Sequence, residues 1–504
     1  MKQLVLLSLI CIIVSCDEAP RYQPISEDYC GSFSRPEVAG LSNYDNLIPD
    51  STSGVYSLEE GDVSMAYRAW FTSAAEKTID IQYFIFSADN IGLIAVDYLL
   101  SAANRGVKIR IIVDDILVEA DADELLALDI HPNLEIKIYN PTTNIGKTFP
   151  AKIKALATDF KGFNQRMHNK TFIVDNKIAV TGGRNIADEY FDYDHEYNFR
   201  DRDVLLTGQV VDDLSNSFGD YWDNALSVPI DELLDATAAQ LNIDVKYEWL
   251  RQYACNPDNF WPEVRKNIER MPTSFANLIE EGDMVFTNDI SFISDAPGKN
   301  EEDGLKGGGI TTDSLVALVN NAQQSVMIQS PYLVTTALGQ SLFGAAAARG
   351  VDITILTNSL NSTDNLEAFS GYKRDRARLL EAGVNLYEFK PNAAIRFEVM
   401  TGALQKKMDF TPIFGLHAKS MVIDQQIAVV GTFNLDPRSA NLNTECITVI
   451  RDEVIASRMH QVMMREIQPE NAWHTTTNFN PDDEASIGKR ISLWMRGIVP
   501  KSIL

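Results

Sequence analysis

Polar and apolar positions along this chain follow two periods, and the switch between them repeats. TIDIQYFIF, opening at Thr78, alternates like a strand. Ile91, Ile94, Ala95, Tyr98, Leu99 and Ala102 then recur at helical spacing, with Gly106 past the helix end, and a second strand closes at Asp115. Ser325 to Ser359 has the same strand–helix–strand shape. Arg105-Gly106-Val107 returns as Arg349-Gly350-Val351, and Asn140-Pro141 as Lys390-Pro391, roughly 245–250 residues on. One unit is therefore used twice. Strands alternating with helices at this spacing predict two α/β halves, with parallel or mixed sheets covered by helices. The halves are expected at residues 53–225 and 310–468, packed about a pseudo-twofold with a cleft at their seam.

The intervening residues 226–309 break the pattern. Helical sequence holding Trp249 and Trp261 leads to an apolar stretch from Met284 to Ile293. Asp295 to Gly309 is acidic and Gly-rich and reads as a mobile loop, either inert or a flap over the cleft. At the N-terminus, Leu4 to Val14 suits the apolar core of a secretory signal. It closes on Ile13-Val14-Ser15-Cys16, which resembles the bacterial lipoprotein cleavage box, so residues 1–16 are expected to be a lipoprotein signal with Cys16 as the lipid-bearing residue. Residues 17–52 read as a tether. Asp17 resembles an inner-membrane retention signal, which places the expected location at the periplasmic face of a bacterial inner membrane. Residues 469–504 are expected to be a basic, apolar tail in contact with membrane, with Ile491, Leu493, Trp494 and Met495 among Lys489, Arg490, Arg496 and Lys501. Gly488, Gly497 and Pro500 argue against a long helix there.

Composition narrows the function. The chain has 504 residues, 70 acidic against 44 basic, and a net charge of −26. No apolar run reaches the ~18–20 residues that span a bilayer. The acidic balance opposes nucleic-acid binding, which needs basic surface to release counterions. Of five cysteines, Cys11 leaves with the signal and Cys16 takes lipid. An exported location permits a Cys30–Cys255 disulfide; the expectation taken is three unpaired thiols at Cys30, Cys255 and Cys446. No Cys/His spacing suggests zinc, and no metal or other cofactor is expected.

The chemistry lies in a duplicated motif. MHNKTFIVDNKIAVTGGRN carries His168, Lys170, Asp175 and Asn185; LHAKSMVIDQQIAVVGTFN carries His417, Lys419, Asp424 and Asn434. In each copy Asn follows His by 17 residues. A single match would be weak, but two at the repeat offset exclude chance. The residues after each His alternate as a strand, so His and Lys share one face. Two histidines, two lysines and two asparagines suit one phosphodiester, with Lys and Asn holding the non-bridging oxygens. His131, His195, His460 and His474 lack such partners and are expected to be structural or at the surface.

These motifs resemble the paired HKD motifs of the phospholipase D superfamily. TDFKGFNQRMHNK, GGRNIADEYF, LTNSLNSTD, GYKRDRARLL and FNLDPRSANLNTE resemble the bacterial cardiolipin synthases, most closely the C type, from about Ser57 to Glu466. The resemblance implies a two-half α/β sandwich with the active site at the seam, acting without metal. It implies phospholipid substrates, a phosphohistidine at one His and acid/base work by the other. By analogy His168 is the nucleophile and His417 the acid/base, an order that the residues leave open to exchange. Glu445 matches the carboxylate expected behind the second His, and Asp201, with Asp203 in reserve, the one behind the first. Asp175 and Asp424 are grouped with the catalytic motif, with orientation of Lys and loop as their expected part. Arg184 and Arg438, within motif loops, are candidates for headgroup contact. The run Lys373-Arg374-Asp375-Arg376-Ala377-Arg378 is either a solvated helix face or an anionic-lipid site. Phosphatidyl transfer making cardiolipin is the expected reaction, with hydrolysis to phosphatidic acid as the rival.

Overall fold

The computed structural model describes residues 27–32, 37–49, 51–115, 122–142, 165–234, 243–299, 307–400, 412–497 and 499–501. Cys16, residues 17–26, 33–36 and 50 of the proposed tether and the centre of the Gly-rich loop lie outside them. The first half supplies β1 (Ser53–Leu58), β2 (Thr78–Tyr83), β3 (Lys108–Asp114), β4 (Leu134–Tyr139), β5 (Thr171–Val174), β6 (Ile178–Gly182), β7 (Tyr197–Arg200), β8 (Asp203–Gly208) and β9 (Ser227–Pro229). The connecting region adds β10 (Val285–Thr287) and β11 (Ile290–Ser294). From the second half and tail come β12 (Ser325–Gln329), β13 (Asp352–Asn358), β14 (Asn385–Phe389), β15 (Ile413–Leu416), β16 (Ser420–Ile423), β17 (Ile427–Gly431), β18 (Cys446–Ile450) and β19 (Ala472–Thr475).

Two large sheets result. Their orders are β10-β1-β8-β6-β5-β2-β3-β4-β9 and β11-β18-β17-β16-β12-β13-β14-β19. The inner run β8-β6-β5-β2-β3-β4 is repeated as β18-β17-β16-β12-β13-β14, which is the duplication seen in the sequence. Within these two sheets only β2-β3-β4 and β12-β13-β14 run parallel, bridged first by the helices Asn90–Asn104 and Ala337–Ala348; their other pairs are antiparallel, so each sheet is mixed, while β7 and β15 form a separate parallel pair.

The period-two pattern sorts side chains between cores. Phe172 and Val174 face the outer core of the first half, while Ile173 faces a layer shared by both halves. Met421 and Ile423 face outward in the second half, and Val422 faces that shared layer. Ile112 and Leu206 meet Met327 and Leu356 there, with side chains of the helices Val210–Trp222 and Glu453–Glu466 in the same cluster. The seam is thus a hydrophobic core in its own right, and the halves form one body.

The expected boundaries are too narrow. Both sheets recruit strands from outside them: β9 and β10 in the first, β11 and β19 in the second. β10 and β11 are consecutive yet lie in different sheets, so the chain crosses the seam between them. The insert helices Ile243–Cys255 and Pro262–Glu280 pack on the outside of the first half, away from the seam. There Phe275 joins Trp70, Phe71 and Tyr44 in an aromatic cluster.

The expectation of three unpaired thiols is overturned. Cys30 and Cys255 are disulfide-bonded, with Cα atoms 5.2 Å apart. Gln252, one helical turn before Cys255, accepts hydrogen bonds from the backbone N–H groups of Tyr29 (2.8 Å) and Cys30 (3.3 Å), which fastens the segment around Cys30 beside the helix end. A pairing across 225 residues is invisible in sequence because folding alone brings the ends together. Cys446 is free and buried.

Candidate active site at the seam

Each motif histidine is held by the half that does not encode it. The N–H of His168 donates to the Thr444 carbonyl (2.9 Å), and that of Thr444 to the Arg166 carbonyl (2.9 Å). The pseudo-twofold counterpart is the parallel pair β7–β15, where His417 N–H donates to the Arg200 carbonyl (2.7 Å). One residue earlier, Asp114 accepts from Met167 N–H and Asn358 accepts from Leu416 N–H, both at 2.8 Å.

This crossing corrects the assignment of the backing carboxylates. Glu445 lies behind the first histidine: His168 Nδ1 is 2.8 Å from Glu445 Oε2. Asp201 lies behind the second: His417 Nδ1 is 2.6 Å from Asp201 Oδ2. The reason is that the segment before β8 pairs with the second motif, and the segment before β18 with the first. Asp203 takes neither position; it accepts from Ser64 Oγ (2.8 Å) and pairs with Arg68 (3.0 Å). A carboxylate on Nδ1 draws the ring proton to that nitrogen and leaves Nε2 as the reactive atom.

The lysines fold back on their motifs. Lys170 Nζ donates to the His168 carbonyl (2.8 Å). Lys419 Nζ donates to the His417 carbonyl (2.6 Å) and lies within 3.1 Å of both nitrogens of that ring. Burial lowers Lys170 to about 7, helped by Lys419, and lowers Lys419 to about 8. Burial also brings His168 to about 4 and His417 to about 3, with each half's lysine depressing the other half's histidine as well as its own. The paired imidazoles hold Glu445 and Asp201 below the ordinary carboxylate range. Burial and the neighbouring lysines thus favour the neutral form of both rings, against the backing carboxylates. A phosphodiester anion would relieve the crowding of the lysines and favour protonation of one ring.

Asp175 and Asp424 do not reach this chemistry. Asp175 accepts from the N–H groups of Glu76, Lys77 and Thr78, and Asp424 from those of Gln323, Gln324 and Ser325, all at 2.7–2.9 Å. Each caps the turn into β2 or β12 from the far end of the motif strand, so their grouping with the catalytic residues is corrected to a structural one. Asn185 Oδ1 accepts from Ile85 N–H (3.1 Å) and its amide donates to Tyr190 Oη (2.8 Å). Asn434 is buried with its Oδ1 unpaired. Arg184 is buried with its N–H groups on the carbonyls of Leu58, Glu59 and Asp201, which commits it to the fold rather than to a headgroup. Arg438 is half-buried near Asp436, Arg166, Asp114 and Glu445. In the 373–378 run, Lys373, Arg374 and Arg378 are exposed on the helix, as a solvated face would be, while Arg376 is buried against Asp482 and Asp375 accepts from Thr335 N–H. His131, His195, His460 and His474 all lie outside the site, and His474 stacks on Tyr387.

Several site residues escaped the motif search. Asp295 accepts from Glu445 N–H (3.1 Å) and Thr311 Oγ1 (2.7 Å), so the start of the expected flap is pinned behind the carboxylate that backs His168. Gln329 accepts from Arg202, and Gln82 lies beside Thr171. Gln82 and Gln329 occupy equivalent repeat positions, and that identity was the available signal. Aromatic rings wall the site: Phe84 is 5.0 Å from the His168 ring, and Phe199, Tyr190 and Tyr332 are 4.6, 5.1 and 6.4 Å from that of His417.

Gly183 is where the motif loop meets a carboxylate, since a Cβ there would lie 2.1 Å from Asp201 Oδ1. The carboxylate can swing aside where backbone could not. Gly183→Ala is thus expected to cost activity, by ~10-fold or more, with little change in melting temperature. Steady-state rates set beside thermal unfolding check this.

Two α/β halves sharing one His–Lys site at their seam define a phospholipase D-type enzyme. The chain matches the family described as "Cardiolipin synthase, PLD-like domain" over residues 71–222 and 315–467, and it belongs to that family, whose members within the phospholipase D superfamily act on phospholipids. It is 32% identical to cardiolipin synthase C of Escherichia coli K12 over 426 residues, covering 83% of this chain and 86% of that one. It is also 32% identical to an uncharacterized protein of Helicobacter pylori J99 over 432 residues, 84% of this chain and 80% of that one. Its fold resembles the crystal structure of phosphatidylserine synthase from Haemophilus influenzae Rd KW20, with a TM-score of 0.57 at 14% identity, covering 90% of this chain and 98% of that one.

Proposed function

We propose that this enzyme makes cardiolipin, transferring a phosphatidyl group from phosphatidylethanolamine to phosphatidylglycerol through a phosphohistidine. The observation that carries the reading is the crossed pair of carboxylate-backed histidines, each with its carboxylate on Nδ1 and a lysine beside it. In the first step His168 Nε2 attacks phosphorus. The P–N bond forms as the P–O bond to ethanolamine breaks, and His417 gives that oxygen its proton. In the second step His417 Nε2 takes the proton from a phosphatidylglycerol hydroxyl, whose oxygen displaces His168 from phosphorus. Lys170, Lys419 and Asn434 face the non-bridging oxygens. The rings of Phe84, Tyr190, Phe199 and Tyr332 favour a lipid alcohol over water as acceptor. Anchoring through a lipidated Cys16 would keep the enzyme at a bacterial membrane.

Purified protein incubated with headgroup-labelled and acyl-labelled donor and acceptor is expected to release ethanolamine and form cardiolipin. Phosphatidic acid as the sole lipid product would replace transfer with hydrolysis.

A further inference from the structure

The C-terminal helix Ile487–Arg496 is amphipathic with its charged side turned inward. Ser486 caps it, accepting from Lys489 N–H. At 3.6 residues per turn, Lys489, Leu493 and Arg496 share one face, and Ile487, Ile491, Trp494 and Met495 share the opposite one. The first face is docked. Lys489 Nζ donates to the carbonyls of Asn361 (3.1 Å) and Thr363 (3.3 Å), Arg496 pairs with Glu367 (2.7 Å), and Leu493 is buried. The second face is open: Trp494 is 80% exposed, Ile487 68%, Ile491 54% and Met495 53%. A solvent-facing helix ordinarily shows the reverse arrangement.

The docked face also locates the helix. Next to Thr363, Asp364 accepts a hydrogen bond from Tyr332 (2.6 Å), whose ring lies 6.4 Å from that of His417. Val499, just beyond the helix, packs in a small cluster with Val334 and Tyr332. The helix therefore docks on the part of the second half that carries Tyr332, one ring away from His417. Ile487 to Leu504 contains no acidic residue, in a chain of charge −26.

We infer that the Ile487–Ile491–Trp494–Met495 face is a membrane-docking surface that seats the enzyme on a phospholipid bilayer with the His417 side of the seam toward the lipid. This rests on the reading of the chain as a phospholipid enzyme and adds to it the surface and the orientation. Trp and aliphatic side chains suit the headgroup boundary, and the basic side chains of the tail hold the helix in place, Arg490 on Asp483 and Lys501 on Asp375. An anchored enzyme whose site faces away from the bilayer would have to extract each lipid; a docked helix beside the site lets headgroups enter directly.

The test uses the full chain and vesicles of phosphatidylethanolamine and phosphatidylglycerol carrying brominated acyl chains. Bromine is expected to quench a component of tryptophan fluorescence that Trp494→Phe lacks, and equal quenching of the two proteins overturns the proposal. The double variant I491Q/W494Q is expected to lose ~10-fold or more of its turnover on vesicles while keeping its rate on short-chain phospholipids dissolved as monomers. Unchanged vesicle turnover overturns it, as does a concentration-dependent dimer that shields Trp494 from a soluble quencher. Absence of turnover on both substrate forms in the unmodified protein would defeat the phospholipid reading, while the quenching experiment would still report on the surface.

Discussion

His417→Ala is expected to halt the enzyme with a phosphatidyl group attached to His168, whereas His168→Ala should be inactive and carry none. Both should lower turnover by ~10³-fold or more, because a complete cycle needs the nucleophile for the first bond change and the acid/base for the second. The structure gives a reason for this order beyond analogy. Lys170 donates to a backbone carbonyl, while Lys419 also leans on the nitrogens of the His417 ring. The His168 ring has its carboxylate on Nδ1 and the edge of Phe84 beside it, so its Nε2 lone pair is the less encumbered. In His417→Ala the attack can still occur with a good leaving group, but no base remains to activate the acceptor. Intact-mass analysis after neutral denaturation, with acyl-labelled donor, reads the adduct directly. An adduct on His168→Ala instead would exchange the two assignments. An adduct on neither, under conditions that trap one on the unmodified enzyme, would confine both residues to proton transfer.

The duplication and the paired motifs were legible because they are local: strands alternate at period two, helices at 3.6, and His, Lys and Asn keep their spacing in both copies. What the sequence hid is what depends on the two halves meeting. Glu445 follows the second motif and was assigned to its histidine, yet the pseudo-twofold exchanges the segments Arg200–Asp201 and Thr444–Glu445 across the seam, so each carboxylate serves the other motif. The Cys30–Cys255 bridge and the recruitment of β10 and β19 as sheet edges are non-local in the same way. Arginines mislead for a different reason. Arg166, Arg184, Arg200 and Arg202 are fully buried, and charge type alone does not say whether a guanidinium meets a ligand or its own backbone.

The crossed carboxylates make a prediction that an uncrossed site would reverse. Asp201 raises the proton affinity of His417 against burial and Lys419, so Asp201→Asn should lower the pKa of that ring further. A general acid works only while protonated, and activity falls as pH rises through its pKa in the bound complex. The basic limb of the kcat profile should therefore move to lower pH, with a rate loss of ~10²–10⁴-fold at neutral pH. Glu445 supports proton binding at His168 in the same way. A nucleophile must be neutral, and its activity falls as pH drops through its pKa. Glu445→Gln should therefore move the acidic limb to lower pH and leave the basic limb in place, with a comparable rate loss from the freed tautomer. If Glu445 backed His417 and Asp201 backed His168, the two variants would exchange limbs. Asp203→Asn separates this from general damage near the motif. Asp203 is tied to Arg68 and Ser64 rather than to a histidine, so its loss should lower the melting temperature and shift neither limb. Profiles of the three variants, each beside a thermal melt, are sufficient to tell which carboxylate tunes which ring.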